Sequence, residues 1–235
     1  MNISKRLKLV ASMVSDNSSV ADIGTDHGYI PIYLVLERGF SRTLAMDINE
    51  GPLLRAVENI EKYGVGDYVE TRLSDGLDGL SENEAESIII AGMGGILINR
   101  ILAEGIKIVK SAKELILSPH SDIPLVRSFL CNNNLNIVDE NIVFEDNKYY
   151  FVFKVINGNM EFEDELDAVY GHILFDKKSP VFRDYLMKEL EKREDILGRM
   201  SISSNAVRKE ELIKETELIK RGLDKFESRR NSSTS

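Results

Sequence analysis

Short runs of apolar residues alternate along the first half of the chain with segments in which apolar residues recur every three or four positions. The runs predict buried β-strands, and the periodic segments predict amphipathic helices. The predicted strands cover residues 19–23, 43–47, 68–73, 87–91 and 114–118. The predicted helices cover residues 3–14, 29–38, 52–63, 95–104 and 123–132. Strands that alternate with helices in this way indicate an α/β fold with a mostly parallel, doubly wound sheet.

The two segments that follow the last of these helices have a different pattern. Residues 136–145 and 148–156 alternate between apolar and polar positions around Asp146-Asn147, which predicts an antiparallel hairpin. A parallel sheet that ends in such a hairpin resembles the class I methyltransferase fold, a Rossmann-like sheet of seven strands. A dinucleotide-binding sheet lacks that final hairpin.

The apolar positions after Pro180 follow a third pattern. Two sets of residues step by four and three positions: Leu186, Leu190, Arg193, Leu197 and Met200, and then Leu212, Thr216, Ile219, Leu223 and Phe226. These heptads predict an antiparallel, coiled-coil-like helical hairpin with a break at residues 201–205. We therefore expect a first domain over residues 1–160, a linker rich in acidic residues over 161–180, and the hairpin over 181–230.

The composition argues against several classes of protein. The chain has 235 residues, of which 43% are apolar, and it contains one cysteine and three histidines. A disulfide framework and a metal site are therefore not expected. No apolar run is long enough to cross a bilayer, and the N-terminus lacks the pattern of a secretory signal, so we expect a cytoplasmic protein with no membrane partner.

The charge is divided unevenly along the chain. The net charge is −9, but residues 176–235 carry 15 basic and 12 acidic residues, whereas residues 1–175 carry 15 basic and 27 acidic ones. This asymmetry suggests an acidic catalytic body and a more basic arm.

The loop after the first predicted strand indicates which ligand could bind there. It contains Asp22, Gly24, Asp26, His27 and Gly28. A dinucleotide fold places glycine two positions after Gly24, where pyrophosphate meets bare N–H groups. Asp26 stands there instead, and it would repel a phosphate while suiting a cationic ligand such as S-adenosylmethionine. The alternative is a structural strand–turn–helix connection in which Asp26 caps the helix.

Two further acids follow the next two strands. Asp47 stands where a carboxylate can accept hydrogen bonds from the ribose hydroxyls of an adenosine. Asp75 can accept from the adenine amino group, and Gly76 allows a close approach to the backbone. The alternatives are a helix cap for Asp47 and an ordinary turn residue for Asp75.

The ends of the fourth and fifth strands are the candidate catalytic edge. The fourth ends in Ala91-Gly92-Met93-Gly94-Gly95, whose glycines suggest either a backbone close to substrate or tight packing. His120, after the fifth strand, either contacts a base or is a surface residue. No Asn-Pro-Pro-Tyr-type motif, associated with methylation of exocyclic amines, follows the fourth strand. That favours a better nucleophile such as N1 of adenine, for which positioning supplies most of the catalysis.

Several of these segments together resemble the bacterial tRNA adenine-N1 methyltransferases that act at position 22. They are Ser4-Lys5-Arg6-Leu7, Ala21-Asp22-Ile23-Gly24-Thr25-Asp26-His27, Gly51-Pro52-Leu53, Gly76-Leu77 and Ile90-Ala91-Gly92-Met93-Gly94-Gly95, with the C-terminal hairpin. The resemblance spans about residues 3–226. It implies a class I fold, S-adenosylmethionine as methyl donor and intact tRNA as substrate. The chain departs from the family at Ser118-Pro119-His120, where the family often has Gln-Pro-Asn.

The motifs and the resemblance give two sets of candidate site residues. The predicted donor contacts are Asp22, Gly24, Asp26, His27, Gly28, Asp47, Ile48, Asp75, Gly76, Ala91 and Gly92. The predicted catalytic positions, beside the transferred methyl group and the target base, are Met93, Gly94 and His120.

A tRNA substrate also requires basic surface. The candidates are Lys5, Arg6 and Lys8 on the first helix and Lys188, Lys192, Arg193, Arg199, Arg208 and Lys209 on the hairpin. The hairpin also carries many glutamates, so it could instead be an ordinary solvated coiled coil or a dimerisation element. We expect a monomer or a weak dimer.

Other functions stay open at this point. The fold would equally serve a methyltransferase that acts on a small molecule or a protein, or a donor-binding module without catalytic activity. A nicotinamide-dependent oxidoreductase is disfavoured by Asp26.

Overall fold

A computed structural model describes residues 1–16, 19–200 and 206–231, with side chains described as far as residue 228. The chain divides into two compact units, of which the first is Met1–Glu161 and the second begins at Phe162. The break predicted at residues 201–205 lies outside the described residues.

The first unit is an α/β sheet with flanking helices. Its strands, within the described ranges, are β1 (Val20–Ile23), β2 (Thr43–Asp47), β3 (Val69–Leu73), β4 (Ser87–Met93), β5 (Glu114–Pro119), β6 (Leu135–Glu145) and β7 (Lys148–Asn157). Its helices there are α1 (Lys5–Met13), α2 (Tyr29–Arg38), α3 (Glu50–Tyr63), α4 (Gly95–Glu104), α5 (Ile106–Ser111) and α6 (Ile123–Asn132).

The strands form one seven-stranded sheet in the order β3-β2-β1-β4-β5-β7-β6. The first five strands of that order are parallel, and β7 runs antiparallel to both β5 and β6. The predicted fold class is therefore confirmed, including the closing hairpin. The order reverses between β1 and β4, because the chain goes outward to β3 and returns to the other side of β1.

The middle of the sheet is apolar on both faces. Ile88, Ile89 and Ile90 of β4 are fully buried, since β4 lies between β1 and β5 and has helices on both sides. On one face, Val10 of α1 and Leu34 of α2 pack into the same core cluster as Ile89. The unbroken isoleucine run is the sequence signal of this central position.

Helix α1 is fixed at both ends. At its N-terminus, the Ser4 hydroxyl caps the helix and accepts a hydrogen bond from the Leu7 amide at 3.2 Å. Just beyond its C-terminus, the Ser15 amide donates to the Glu114 carboxylate of β5 at 2.7 Å. The helix therefore has a set position against the sheet.

The second unit is helical and contains, within the described residues, α7 (Glu165–Tyr170), α8 (Ile173–Asp176), α9 (Pro180–Arg199) and α10 (Ala206–Asn231). Ion pairs join Arg183 to Glu227 at 3.1 Å and Arg193 to Glu215 at 2.7 Å. The residue numbers of these partners increase along α9 and decrease along α10, so the two helices are antiparallel.

Two short helices lie within the segment 161–180, for which the sequence predicts a linker. Leu166 of α7 and Phe175 of α8 are buried, and the Phe175 ring meets Phe182 of α9 edge-on with centroids 5.0 Å apart. The segment therefore packs with the hairpin instead of remaining extended. The sequence does not predict these helices because the segment has many acidic residues and only a few apolar ones. The short α5, which follows Gly105 directly, is missed because a glycine usually ends a helix.

A buried carboxylate connects four parts of the first unit. Glu114 at the start of β5 is 4% exposed. It accepts hydrogen bonds from the Ser15 amide and hydroxyl and from the Ser87 hydroxyl of β4, each at 2.7 Å, and it pairs with Lys154 of β7 at 2.9 Å. Although burial opposes ionisation, the hydrogen bonds from Lys154, Ser15 and Ser87 hold the pKa of Glu114 below its ordinary value.

Among the described residues, no helix combines the length and the apolar character that crossing a bilayer requires.

Removal of this carboxylate should destabilise the first unit strongly. Glu114→Ala leaves Lys154 without its buried counter-ion, and we expect the free energy of unfolding to fall by roughly 3–5 kcal/mol. Urea denaturation followed by circular dichroism measures the loss. The control is Glu86→Ala, which removes a largely exposed pair with Lys113 at 2.6 Å and should cost less than about 1 kcal/mol. Equal losses in the two variants would show that the Glu114 contacts are not a structural anchor.

Candidate functional site

The side chains that the sequence singles out meet at one edge of the sheet. Asp22 and Asp47 lie at the carboxyl ends of β1 and β2, Asp75 follows β3, Gly92 lies near the end of β4, and His120 follows β5. This edge includes the point where the strand order reverses between β1 and β4. Open α/β sheets bind their ligands in the crevice at that point.

A cavity of about 380 Å³ lies beside β1 and is called here the Asp22 cavity. The predicted site residues that line it are Arg6, Asp22, Gly24, Asp26, Asp47, Ala91, Gly92 and His120. Its other lining residues are Leu7, Thr25, Tyr29, Ile30 and Pro52. The cavity therefore brings together candidates from α1, from the β1 loop and from the ends of β2, β4 and β5.

A second cavity, of about 230 Å³, lies towards β3 and is called here the Asp75 cavity. The predicted site residues that line it are Gly24, Asp47, Ile48, Asp75, Gly76 and Met93. Its other lining residues are Ile23, Asn49, Ser74, Leu97, Arg100 and Ile101. Since Gly24 and Asp47 line both cavities, one elongated ligand can extend from the first into the second.

The backbone conformation explains why residue 24 is a glycine. The φ of Gly24 is +72°, a region that favours glycine, and a Cβ atom there would also lie 2.0 Å from the Met93 methyl carbon. The flexible end of the Met93 side chain therefore lies over the backbone at the junction of the two cavities. The amides of Gly24 and Thr25 both donate to the Met46 carbonyl at 2.8 Å, which fastens this loop to β2.

Asp22 is a carboxyl group in an environment that disfavours its charge. It is 4% exposed, and the Thr25 hydroxyl donates a hydrogen bond to it at 2.7 Å. Burial raises the pKa of Asp22 from 3.8 to about 7, and the nearby Asp47 adds to that rise. The charge of Arg6, which lines the same cavity, offsets part of that rise, and a cationic ligand group in the Asp22 cavity would lower the pKa further.

The predicted donor contacts His27 and Gly28 line neither of these two cavities. His27 stacks on Tyr29 at 5.3 Å, and its Nε2 atom is 3.1 Å from Asp26, whose side chain is 77% exposed. Gly28 is the N-cap of α2 with φ +68°, and a Cβ there would approach the Ala56 side chain to 3.2 Å. These two residues shape the loop and its contact with α3.

Asp47 has a polar partner within its own loop, and Asp75 has one on α4. One Asp47 oxygen accepts from the Asn49 amide at 2.7 Å. Asp75 lies 3.6 Å from the guanidinium of Arg100 on α4. The buried Ser74 hydroxyl accepts from the Gly79 amide at 2.8 Å and so fixes the turn that presents Asp75.

The end of β4 is irregular, and its irregularity opens the Asp22 cavity. The register between β4 and β5 shifts between Ala91 and Met93, and Gly92 has φ +86°. A Cβ on Gly92 would lie 3.3 Å from Nη1 of Arg6, so the missing side chain leaves space that the guanidinium occupies. The His120 amide donates to the Met93 carbonyl at 2.8 Å, which holds the ends of β4 and β5 together.

His120 is held in one protonation state by its neighbours. Its Nε2 atom lies 3.2 Å from Nη1 of Arg6. Because a guanidinium can only donate, Nε2 must accept, and the ring proton is therefore on Nδ1. Partial burial and the positive charges of Arg6 and Lys148 lower the pKa of His120. The imidazole is neutral at physiological pH.

Gly94 was a predicted catalytic residue, but it lies outside both cavities. It is the N-cap of α4, and a Cβ on it would come within 3.1 Å of the Ser121 hydroxyl. A Cβ on Gly95 would lie 2.7 Å from the Ser121 carbonyl oxygen. The two glycines therefore pack closely against Ser121, and a catalytic role of Gly94 stays a prediction.

The basic candidates of the first unit differ in their surroundings. Arg6 lines the Asp22 cavity, whereas Lys5 and Lys8 are exposed on α1. The Lys8 ammonium donates to the Asn2 side chain at 3.2 Å.

The basic candidates of the second unit lie on α9 and α10. On α10, Arg208 pairs with Glu211 at 3.0 Å and Lys209 is exposed. Lys188 and Arg199 form surface pairs one helical turn away, with Asp184 and Asp195, and Lys192 is exposed. Arg193 is half-buried and bridges Glu189 and Glu215, which argues against the predicted contact of Arg193 with RNA.

Several lining residues were missed because they are distant in sequence or carry no motif. Arg100 is the single basic residue of α4, and a basic residue in a mostly apolar helix is a usable signal. Tyr29 directly follows the glycine loop, so its neighbourhood was a second signal. Thr25 lies inside the predicted loop, but its hydrogen bond to Asp22 depends on a backbone turn that the sequence does not specify.

A family profile and a relative of known function both match this chain, and both are described as methyltransferases. The family profile described as a methyltransferase domain matches residues 3–153. The tRNA (adenine(22)-N(1))-methyltransferase of Bacillus subtilis is 33% identical, over 95% of this chain and 98% of that protein.

Two solved structures resemble this one along nearly the full chain. A Streptococcus pneumoniae protein in complex with S-adenosyl-L-methionine superposes with a TM-score of 0.86 at 36% identity, covering 94% of this chain and 100% of that one. The Mycoplasma capricolum TrmK in complex with S-adenosyl-homocysteine gives 0.84 at 28%, covering 95% and 99%.

The buried Asp22 carboxyl should make the ligand-free protein less stable as the pH rises. Since the folded-state pKa lies above the unfolded one, the stability it contributes is complete below about pH 4 and is lost as the pH approaches 7. Asp22→Asn removes this titration and keeps an acceptor for Thr25. We expect the melting temperature of the variant to exceed that of the parent by several degrees at pH 8, and the difference to shrink towards pH 4.

Thermal unfolding by circular dichroism between pH 4 and pH 8 measures this difference. The control is Asp26→Asn, which changes an exposed carboxylate four residues away and should leave the melting temperature within a degree or so. A stabilisation by Asp22→Asn that is independent of pH would contradict the assignment.

Proposed function

The chain belongs to the tRNA (adenine(22)-N1)-methyltransferase family, and we propose that it transfers a methyl group from S-adenosylmethionine to N1 of adenine 22 in tRNA. The observation that carries this proposal is the pair of adjoining cavities that share Gly24 and Asp47, with the buried Asp22 in one and Asp75 in the other. A ligand with a cationic end and an adenosine end matches that arrangement.

The amino-acid end of the donor fits the Asp22 cavity. Its α-ammonium group would bring a further positive charge next to the buried Asp22, beside that of Arg6, and Asp22 would then ionise. The carboxylate of Asp26 lines the same cavity and would repel a pyrophosphate. This electrostatic pattern favours S-adenosylmethionine, which has no phosphate, over a dinucleotide.

The adenosine end fits the Asp75 cavity. Asp47, at the junction of the cavities, is suited to accept hydrogen bonds from the ribose hydroxyls. Ile48, Leu97 and Ile101 line the Asp75 cavity with apolar surface suited to a flat purine. Asp75 is suited to accept a hydrogen bond from the adenine amino group.

The reaction requires orientation more than proton transfer. When bound, S-adenosylmethionine supplies a methyl group on a sulfonium, and the lone pair of N1 displaces the thioether so that the positive charge moves to the purine. No proton has to leave N1, so the neutral His120 at the cavity rim is not required as a base. The walls of the Asp22 cavity, which include Gly92 at the end of β4, orient the acceptor.

The RNA would be held by basic surface outside the cavities. On the first unit, Lys5 and Lys8 are exposed on the same helix that carries Arg6, and they are suited to phosphate contacts. On the second unit, Lys188, Lys192 and Arg199 are suited to the same role. Arg193 is left out of this set because its ion pairs join α9 to α10.

The transfer of labelled methyl groups to unmodified tRNA transcripts tests this function. We expect 1-methyladenosine in the nucleoside digest, and no label when adenine 22 is replaced by guanine. Asp47→Ala should lower kcat/KM by at least about tenfold, because a hydrogen-bonded carboxylate at the ribose is lost. Asp67→Ala, an exposed acid in the α3–β3 turn, is the control and should be fully active. Label on another nucleotide would refute the assignment of the substrate position.

Donor affinity should depend on pH through Asp22. Because the ammonium group needs the ionised form, the affinity should fall as the pH drops below about 7, approaching tenfold per pH unit. Calorimetry in buffers of different ionisation enthalpy should detect release of a proton on binding near pH 6.5. Asp22→Asn should bind the donor weakly and without this proton release. A pH-independent affinity in the parent protein would contradict the role of Asp22.

A further inference from the structure

Arg6 lies at a contact point of three separate elements of the first unit. Its guanidinium carbon is 5.3 Å from the centroid of the Tyr150 ring on β7, and its Nη1 atom is 3.2 Å from Nε2 of His120 after β5. The rings of His120 and Tyr150 meet edge to face, with centroids 5.3 Å apart. The missing side chain of Gly92 leaves the space into which the guanidinium extends.

A fourth residue fixes the helix turn that carries Arg6. The Glu145 carboxylate at the end of β6 accepts hydrogen bonds from the backbone amides of Lys5 and Arg6, at 2.7 and 3.1 Å. It satisfies amides that have no partner within α1. Glu145 thus joins the start of α1 to the tip of the β6–β7 hairpin, next to the strand that carries Tyr150.

This arrangement differs from that of a residue that only contacts phosphate. A phosphate ligand is usually held by flexible, exposed side chains, whereas Arg6 is half-buried, lines the Asp22 cavity and has an aromatic ring against it. Nucleobases stack on arginine planes as well as on aromatic rings. A guanidinium backed by Tyr150 and bonded to His120 has the fixed plane that such stacking requires.

We propose that Arg6 is the surface on which the target adenine stacks, and that its charge disfavours the methylated product. The inference rests on the proposed function. Before transfer, the adenine is neutral and stacks favourably on the guanidinium. The N1–methyl bond then forms while the sulfur–methyl bond breaks with its electron pair left on sulfur, and the purine becomes cationic. The product base and Arg6 then repel each other, which promotes release.

The test compares two RNAs rather than one. The affinities of tRNA with adenine 22 and of the same tRNA with 1-methyladenine 22 are measured in the presence of S-adenosylhomocysteine, so that no transfer occurs. Methylation changes the RNA itself, so the informative quantity is how the ratio of the two affinities differs between protein variants. In Arg6→Gln the affinity for the methylated RNA, relative to that for the unmethylated RNA, should rise by roughly fourfold. This is the effect of two unit charges about 5 Å apart in water-like surroundings.

Lys5→Gln is the matched control, because it removes a positive charge from the neighbouring position of the same helix turn. This variant should lower the affinity for both RNAs by the same factor and leave the ratio of the two affinities unchanged. Arg6→Lys keeps the charge and loses the plane, so the ratio should stay near that of the parent protein while kcat/KM falls. A shift of the melting temperature by S-adenosylhomocysteine shows for each variant that the fold and the donor site are intact.

Tyr150 gives a second, independent readout. Tyr150→Phe keeps the ring behind Arg6 and should retain kcat/KM within about twofold, whereas Tyr150→Leu should lower it by at least about fivefold.

Several results would overturn the inference. If Arg6→Gln lowers the affinity for both RNAs by the same factor, Arg6 is a phosphate contact and the stacking role is wrong. If Tyr150→Leu is as active as Tyr150→Phe, the ring does not support the base. A parent protein that fails to methylate tRNA would instead refute the proposed function, and the two failures are therefore distinguishable.

Discussion

The buried charge of Glu114 is the interaction on which the geometry of the site most depends. It fastens the segment after α1 to the start of β5 and to β7, at the end of the sheet opposite the cavities. The other ends of the same three elements carry Arg6, His120 and Tyr150. A contact at one end of the sheet therefore keeps three chain-distant side chains in register at the other. Glu145 and Glu114 therefore hold the two ends of the α1 segment against the sheet.

Electrostatics divides the site into regions of opposite character. The β1 loop presents a buried acid with a raised pKa, while the side near β7 carries the positive charges of Arg6 and Lys148 around a neutral His120. The positive amino-acid end of a donor is suited to the side near Asp22. An uncharged acceptor base is suited to the side near β7. Part of the folding free energy is given up at Asp22, and binding of the donor would recover it. Such strain is common where a site is built before its ligand arrives.

The sequence predicts the sheet well because each strand carries its own signal. The isoleucines at 88–90 identify a central strand, and the acids at positions 22, 47 and 75 come to one edge as a necessary result of parallel topology. Glycines are harder to interpret, since the same residue can allow an approach by ligand or by protein. Gly24 and Gly92 line the Asp22 cavity, whereas Gly28 and Gly94 serve packing, and no local pattern separates the two cases. Tyr150 is beyond prediction because its partners are more than 25 residues away in the chain.

The shared wall at Gly24 and Asp47 has a consequence for inhibitor chemistry. Because the cavities adjoin, a single molecule that joins a nucleoside to a second ring could fill both without a long connector. Its second half would then bind at an effective concentration in the millimolar range or above, so modest affinity at each half would give tight binding overall. The thioether of Met93 at the junction is flexible and polarisable, and it could adapt to linkers of different shape.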